Sequence, residues 1–299
     1  MGNNTITDYL YENEYKRPDT IVIINCVLNV PLIFVPILGN LLVLVAIVKS
    51  PSLRSPSIVF LCNLAVSDLL VGFVAQPLYI SYELTKASFV YKPCTTMALT
   101  AGGVSISTMT AKSLDRFLAL LYHMRYPLLM TLHRAILIAI SLWLFNGLVS
   151  LLVLCNMTAY YFAIAVSIPI YLLLSIVSYM RIYLIICRHR LKIRAQRNAV
   201  ANSTQDYQRK HNMERKSKSA KNTFMYFVVM VVCYLPLFTA MIILTFYTSL
   251  WTIAWNLTDT IVFANSAINP FLYCWRVREL RTAVIKIAKR ILCRQTEDN

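Results

Sequence analysis

Three short polar groups interrupt long apolar runs of this sequence, and their residue types limit the chemistry it can do. Asp68, in Asn63-Leu64-Ala65-Val66-Ser67-Asp68, is a lone carboxylate with apolar residues on both sides. Asp115-Arg116 closes a second run, and Asn269-Pro270, with Tyr273, lies inside a third. A carboxylate in such surroundings must be protonated, paired or bound to a cation. An adjacent acid and base can pair and exchange partners, and a proline removes a helix hydrogen bond and leaves a pivot, here at Pro236 and Pro270. This is the chemistry of holding and switching. No His/Glu metal cluster and no paired membrane carboxylates occur, and His123, His133, His189 and His211 all fall between apolar runs, so no enzyme is expected.

The elements that carry these groups are membrane helices. Of 299 residues, 58% are hydrophobic and 14% charged, against roughly a quarter charged in soluble domains. Seven apolar stretches cover about 21–48, 57–82, 93–121, 134–155, 160–187, 222–246 and 252–275. Each exceeds the roughly 20 residues a helix needs to cross the bilayer. Period-two alternation, the mark of a membrane barrel, is absent. The expected fold is therefore all-α: a seven-helix transmembrane bundle over 21–275. Only Asn156-Met157-Thr158-Ala159 separates the fourth and fifth stretches, because one run of that length cannot be a single span.

Charge orients the bundle. Basic residues crowd 188–221 (Arg188 to Lys221) and the stretch after Trp275, with Lys49, Arg54, Arg125 and Arg134 in the shorter loops of that side. The opposite side has Lys16, Arg17, Lys86 and Lys92. The positive-inside rule places 188–221 in the cytosol as a basic third loop and 1–20 outside. The net charge of +16 is thus sorted by topology and does not mark a nucleic-acid partner. The polar start lacks the pattern of a cleavable signal peptide, leaving the first apolar run as the insertion signal. Among the sequons, Asn3 is the expected glycosylation site. Segment 276–299 places Val277, Leu280, Val284, Ile287, Ala288 and Ile291 on one face, reading as an amphipathic helix on the inner leaflet before the tail. Cys293 is a palmitoylation candidate there, adding a second membrane anchor.

Taken in order, Gly39-Asn40, Leu64-Ala65-Val66-Ser67-Asp68, Asp115-Arg116-Phe117, Trp143, Cys233-Tyr234-Leu235-Pro236 and Asn269-Pro270-Phe271-Leu272-Tyr273 resemble the rhodopsin-like (class A) G-protein-coupled receptors over residues 21–293. The resemblance implies a plasma-membrane receptor that binds an extracellular ligand and activates a heterotrimeric G protein, with arrestin and a receptor kinase as further partners and no cofactor apart from an ion. It implies a switch formed by Asp115, Arg116, Tyr179, Tyr234, Pro236, Asn269, Pro270 and Tyr273. It also implies a sodium site at Asp68 with Asn40, Ser105, Asn265, Ser266 and Asn269; a water cluster around a protonated Asp68 is the alternative. The short second outer loop is similar to that of the melanocortin and cannabinoid receptors. Cys94 and Cys155 are the outer cysteines the resemblance would join, or else two buried thiols.

Several residues depart from the family pattern. Tyr234 stands in place of tryptophan, and Lys216 in place of an acid that pairs with Arg116, so high basal signalling is expected. Lys112, one turn before Arg116, should pair with Asp115 or reach the inner surface. Ala98 replaces the acid of amine receptors. The pocket implied by the family comprises Tyr79, Glu83, Ala98, Gly102, Tyr234, Phe238, Asp259 and Phe263, with Tyr82 and Met241 beside them, a plain packed core being the alternative; Asp259 would hold a cationic group, or else pair with Lys86 or Lys92 or reach water. Alternatives are a seven-helix protein that is constitutively active or signals without G protein, through arrestin or a heterodimer partner, and a transporter, for which neither internal repeat nor broken helices are found.

Overall fold

The computed structural model describes residues 19–50, 55–122, 125–199, 225, 228–229, 231–240, 251–276 and 278–297. Among these there is no strand. Helix α1 (Asp19–Lys49) is followed by α2 (Pro56–Leu70), a π turn (Val71–Ala75) and α3 (Gln76–Thr85), which together make the second span. Then come α4 (Ser88–Leu121), the short α5 (Tyr126–Leu129), α6 (Leu132–Cys155) and α7 (Met157–Ala199). The described part of the sixth span is α8 (Val231–Ala240). The chain ends in α9 (Trp251–Arg276) and α10 (Arg278–Glu297).

The second span, α4 and α7 start earlier than their apolar runs, and two loops shrink as a result. Only Lys86 and Ala87 join α3 to α4, and Asn156 alone joins α6 to α7. Asn156 makes that single-residue turn work because its Oδ1 accepts the Ala159 N–H at 3.0 Å and caps α7. At 43 residues, α7 is roughly 65 Å long. It therefore projects well past the bilayer, as a helical extension into the basic third loop.

Large apolar side chains face outward along the spans, including Phe34, Leu38, Leu144, Leu148, Phe162, Leu173 and Phe271. In lipid this is the favoured orientation, so the interior is knitted by polar contacts and close packing instead. Asn63 links three helices: its Nδ2 donates to Thr108 Oγ1 at 2.6 Å, and its Oδ1 accepts Trp143 Nε1–H at 2.8 Å. Pro270 cannot donate to the Ser266 carbonyl one turn back. Asn40 Nδ2 of α1 donates to that oxygen at 3.4 Å instead. One turn of α1 below, Val43, Ala46 and Ile47 pack with Leu64, Ile106, Met109 and Tyr273 in the main apolar cluster.

The α1–α9 contact depends on Gly39. A Cβ built there would lie 2.7 Å from Pro270 Cγ, inside contact distance. Gly39→Val is accordingly expected to cost roughly 1–3 kcal/mol through overpacking. The check is the thermal unfolding midpoint of the purified protein, which should fall by several degrees; an unchanged midpoint would contradict the close approach.

The π turn has a chemical cause. Pro77 has no N–H for the Phe73 carbonyl, and its ring crowds that turn, so the helix widens just before it. Gln76 N–H accordingly donates to Val71 O, five residues back.

Candidate functional site

An outer cavity of about 160 Å³ opens between α3, α4, α6, α7, α8 and α9. Tyr79, Glu83, Ala98, Gly102, Tyr234, Asp259 and Phe263 all line it, joined by Tyr82. Phe238 does not: it packs half-buried against the apolar cluster instead. Met241 lies outside the described residues. The cavity reaches farther toward α6 and α7 than expected, touching Asn146, Ser150, Ser167 and Tyr171. Gly102 makes the room, since a Cβ built on it meets nothing within 4 Å. Tyr79 and Phe263 meet edge-on with ring centroids 5.3 Å apart.

Tyr234 forms the cavity floor. Its hydroxyl donates to the Gly102 carbonyl at 3.2 Å, joining α8 to α4. A tryptophan indole could not place an O–H there, so the departure from the family residue creates a specific inter-helix contact.

Below the floor lies a buried polar network. Asn269 Nδ2 donates to Asp68 Oδ2 at 2.9 Å, and Asn265 Nδ2 to Ser105 Oγ at 3.3 Å. Asn40 and Ser266 join through the contact across the Pro270 turn. Asp68, Asn40, Asn265, Asn269, Ser105 and Ser266 are all essentially without solvent exposure. Asp68 Oδ1, Asn40 Oδ1, Asn265 Oδ1 and Asn269 Oδ1 have no hydrogen-bond partner among the described residues. An all-oxygen set around a buried carboxylate fits a hard cation such as sodium, which takes oxygen ligands.

The cytosolic end holds the acid–base pair. Asp115 is buried and well held, accepting from Ser57 Oγ at 2.8 Å and from Tyr126 OH at 2.6 Å. Arg116 Nε stands 3.7 Å from Asp115 Oδ2, an ion pair without a close hydrogen bond. Burial, then the hydrogen bond and charge of Asp115, push the Tyr126 phenol up to about 12, so Tyr126 stays a donor at physiological pH. Tyr179 is buried and accepts from Ser113 Oγ at 3.0 Å.

Lys112 departs from expectation. It neither reaches the inner surface nor lies exposed: it is 3% exposed, with Nζ 5.2 Å from the centroid of the fully buried Tyr273 ring. This places the ammonium over α9, where the tyrosine face offers it a favourable electrostatic contact. Lys216 lies outside the described residues, as do Asn3 and the side chain of Cys293.

Of the two readings of Cys94 and Cys155, a bridge or two buried thiols, the structure has no bridge. Both are free thiols; Cys94 is buried in the cavity lining and Cys155 is exposed at the end of α6. Because α4 begins at Ser88, Cys94 already lies inside the helix and points into the bundle.

One cluster escaped the sequence reading. Asn25 Nδ2 donates to Tyr79 OH at 2.7 Å, and Asn29 Nδ2 donates to Thr260 Oγ1 at 2.9 Å. Thr260 in turn donates to Asn25 Oδ1. These contacts clamp α1, α3 and α9 together behind the cavity. The signal was available: Asn25 and Asn29 are i,i+4 polar residues within an apolar run, which calls for partners in lipid.

The sequence model described as "7 transmembrane receptor (rhodopsin family)" matches residues 39–161 and 155–273. The chain belongs to this family. It is a G-protein-coupled receptor and a multi-pass protein of the plasma membrane. Among similar proteins, the receptor is 25% identical to adenosine receptor A2b of Gallus gallus, over 91% of this chain and 90% of that protein. It is 24% identical to human melanocortin receptor 3, over 87% of this chain and 82% of that protein. Olfactory receptor 11A1 of Homo sapiens is 30% identical over 48% of this chain and 46% of its own. The melanocortin match agrees with the likeness suggested by the short second outer loop.

Proposed function

We propose that a ligand entering the outer cavity from the extracellular side displaces Tyr234, and that the change passes through the Asp68 network to free Arg116 for a heterotrimeric G protein. The observation that carries this reading is a succession of inter-helix polar contacts stacked down α4 and α9. It runs from Tyr234 on Gly102, through Asn265 on Ser105 and Asn269 on Asp68, to Tyr273 beneath Lys112. Each contact joins different helices, so moving one of them perturbs the next.

The residues take distinct roles. Pro236 and Pro270 provide the pivots of α8 and α9. Tyr273 and Tyr179 hold the inner ends of α9 and α7 against α4. Asp115 keeps Arg116 from the cytosolic cleft until the helices part. Sodium, when bound, supplies a positive charge beside Asp68; Asp68, Asn40, Ser105, Asn265, Ser266 and Asn269 are the residues that would hold it. Arrestin and a receptor kinase meet the same opened cytosolic face. The N-terminus lies outside and carries a glycan at Asn3, and palmitate on Cys293 fastens α10 to the inner leaflet.

The test is nucleotide exchange on purified G proteins by receptor reconstituted in lipid nanodiscs. Wild-type receptor is expected to accelerate exchange, and Arg116→Ala to bring it down to the rate of empty nanodiscs. Undiminished exchange by Arg116→Ala would sink the coupling mechanism.

A further inference from the structure

We infer that the outer cavity is a site for a small organic ammonium ion, and that the Lys86 side chain is its tethered stand-in, displaced from Glu83 and Tyr82 when the ligand enters. This rests on the receptor reading only for the consequence of binding; the recognition chemistry stands on the cavity alone.

The lining has one sign of charge. Glu83 and Asp259 both line the cavity, and no Lys, Arg or His is among the described lining residues. Around the acids stand the rings of Tyr79, Tyr82, Tyr91 and Phe263. Carboxylate plus aromatic face is the combination that selects ammonium groups, because the ring quadrupole attracts a cation without the desolvation cost of a second buried charge.

The structure already shows an ammonium held this way. Lys86 Nζ lies 3.0 Å from Glu83 Oε2 and 5.3 Å from the Tyr82 ring centroid. Tyr91 backs that ring, with centroids 5.2 Å apart. The two partners differ sharply in burial: the Glu83 side chain is 2% exposed and that of Lys86 27%. The acid is therefore fixed in the wall, and the ammonium is the member able to leave.

The backbone of Lys86 fits this role. It sits at φ 54°, the one non-glycine residue with positive φ among the described residues. Its N–H donates to Tyr82 O at 2.8 Å, closing α3. A left-handed lysine is uncommon, and asparagine is the residue that tolerates this region best after glycine. Main-chain anchoring leaves the side chain free to swing while its origin stays over the rim. At about 160 Å³ the cavity is smaller than the roughly 300–1,000 Å³ of pockets for drug-sized ligands, which favours a compact cation. Ala98 lines the α4 side without charge, so both acids stand on the α3 and α9 side of the cavity.

The experiment measures thermal unfolding of the full-length receptor in nanodiscs against choline and its neutral isostere 3,3-dimethylbutan-1-ol, at constant ionic strength set with KCl. Choline is expected to raise the midpoint saturably, and the alcohol is not. Lys86→Asn removes the tethered ammonium and keeps the left-handed backbone, so it should bind choline about tenfold more tightly than wild type. Glu83→Gln should weaken choline about tenfold, and Tyr82→Leu provides a second, uncharged change expected to weaken it too. The inference is overturned if the alcohol matches choline, if Lys86→Asn binds choline no more tightly, or if neither Glu83→Gln nor Tyr82→Leu weakens it. An absence of choline binding in both wild type and Lys86→Asn overturns it as well. Basal nucleotide exchange with Arg116→Ala as control reports separately on the receptor reading, so either can fail alone.

Discussion

Lys112→Met is expected to raise ligand-independent nucleotide exchange by roughly 2- to 30-fold, the range given by a cation–π contact of about 0.5–2 kcal/mol. The Lys112 ammonium over the Tyr273 ring ties α4 to α9 at the cytosolic end. The same structure has Arg116 beside Asp115, Asp68 bonded to Asn269 and Tyr234 bonded to Gly102. We take this set of contacts as the resting arrangement, so loosening any one of them favours the signalling state. Lys112→Arg keeps the cation and should stay near wild type. A second readout separates this from general damage. A nearly unexposed ammonium is costly to bury, so Lys112→Met should leave the thermal midpoint unchanged or raise it while basal exchange climbs. Basal exchange at or below the wild-type level would refute the assignment.

Asp115→Ala is expected to have the larger effect on stability, and a parallel one on signalling. The substitution removes the acceptor of Ser57 Oγ and Tyr126 OH together with the ion pair to Arg116. Removing the buried carboxylate leaves the Ser57 and Tyr126 hydroxyls without their acceptor, at about 1–3 kcal/mol each, so the thermal midpoint should fall by many degrees and basal exchange should rise as Arg116 is released. Ser57→Ala provides the comparison, removing one donor while keeping the ion pair. It should cost about 1–2 kcal/mol with little change in basal exchange. If Asp115→Ala destabilises the protein without raising basal exchange, Asp115 is a structural anchor and not a restraint on Arg116. Lys112 and Asp115 are near neighbours on α4, so their effects should not simply add.

What could be read from the sequence followed from the cost of polarity in lipid. Asp68 stood out because it interrupts an apolar run, and Ser105, Asn265 and Asn269 joined it through the family resemblance; the structure pairs Asn269 with Asp68 and Asn265 with Ser105. The cavity residues on α3, α4 and α9 came from the family resemblance, because composition and spacing alone describe a packed core almost as well. Side-chain direction near helix ends was not legible. The Cys94–Cys155 pairing depended on where α4 starts, and starting at Ser88 turns Cys94 into the cavity. Lys112 depended on how closely α9 brings Tyr273 to it, which spacing from Asp115 alone could not give. Phe238 packs against the core on α8, the helix that Tyr234 ties to Gly102 by a hydroxyl contact no propensity describes. Asn25, Asn29 and Thr260 carried the signal of buried polarity but formed no ordered pattern with the other motifs.

The π turn at Val71–Ala75 separates two halves of one span that have different jobs. Below it, α2 carries Asp68 and Asn63; above it, α3 carries Tyr79, Tyr82 and Glu83. Removing one residue from the turn would let the helix run on as regular α and rotate everything above by about 100°. Tyr79 and Glu83 would leave the cavity wall while Asp68 kept its place. The span is thus adjustable by length as well as by side chain. A single-codon deletion or insertion here could exchange the whole set of ligand-facing groups on this helix at one stroke and leave the conducting core of the receptor intact.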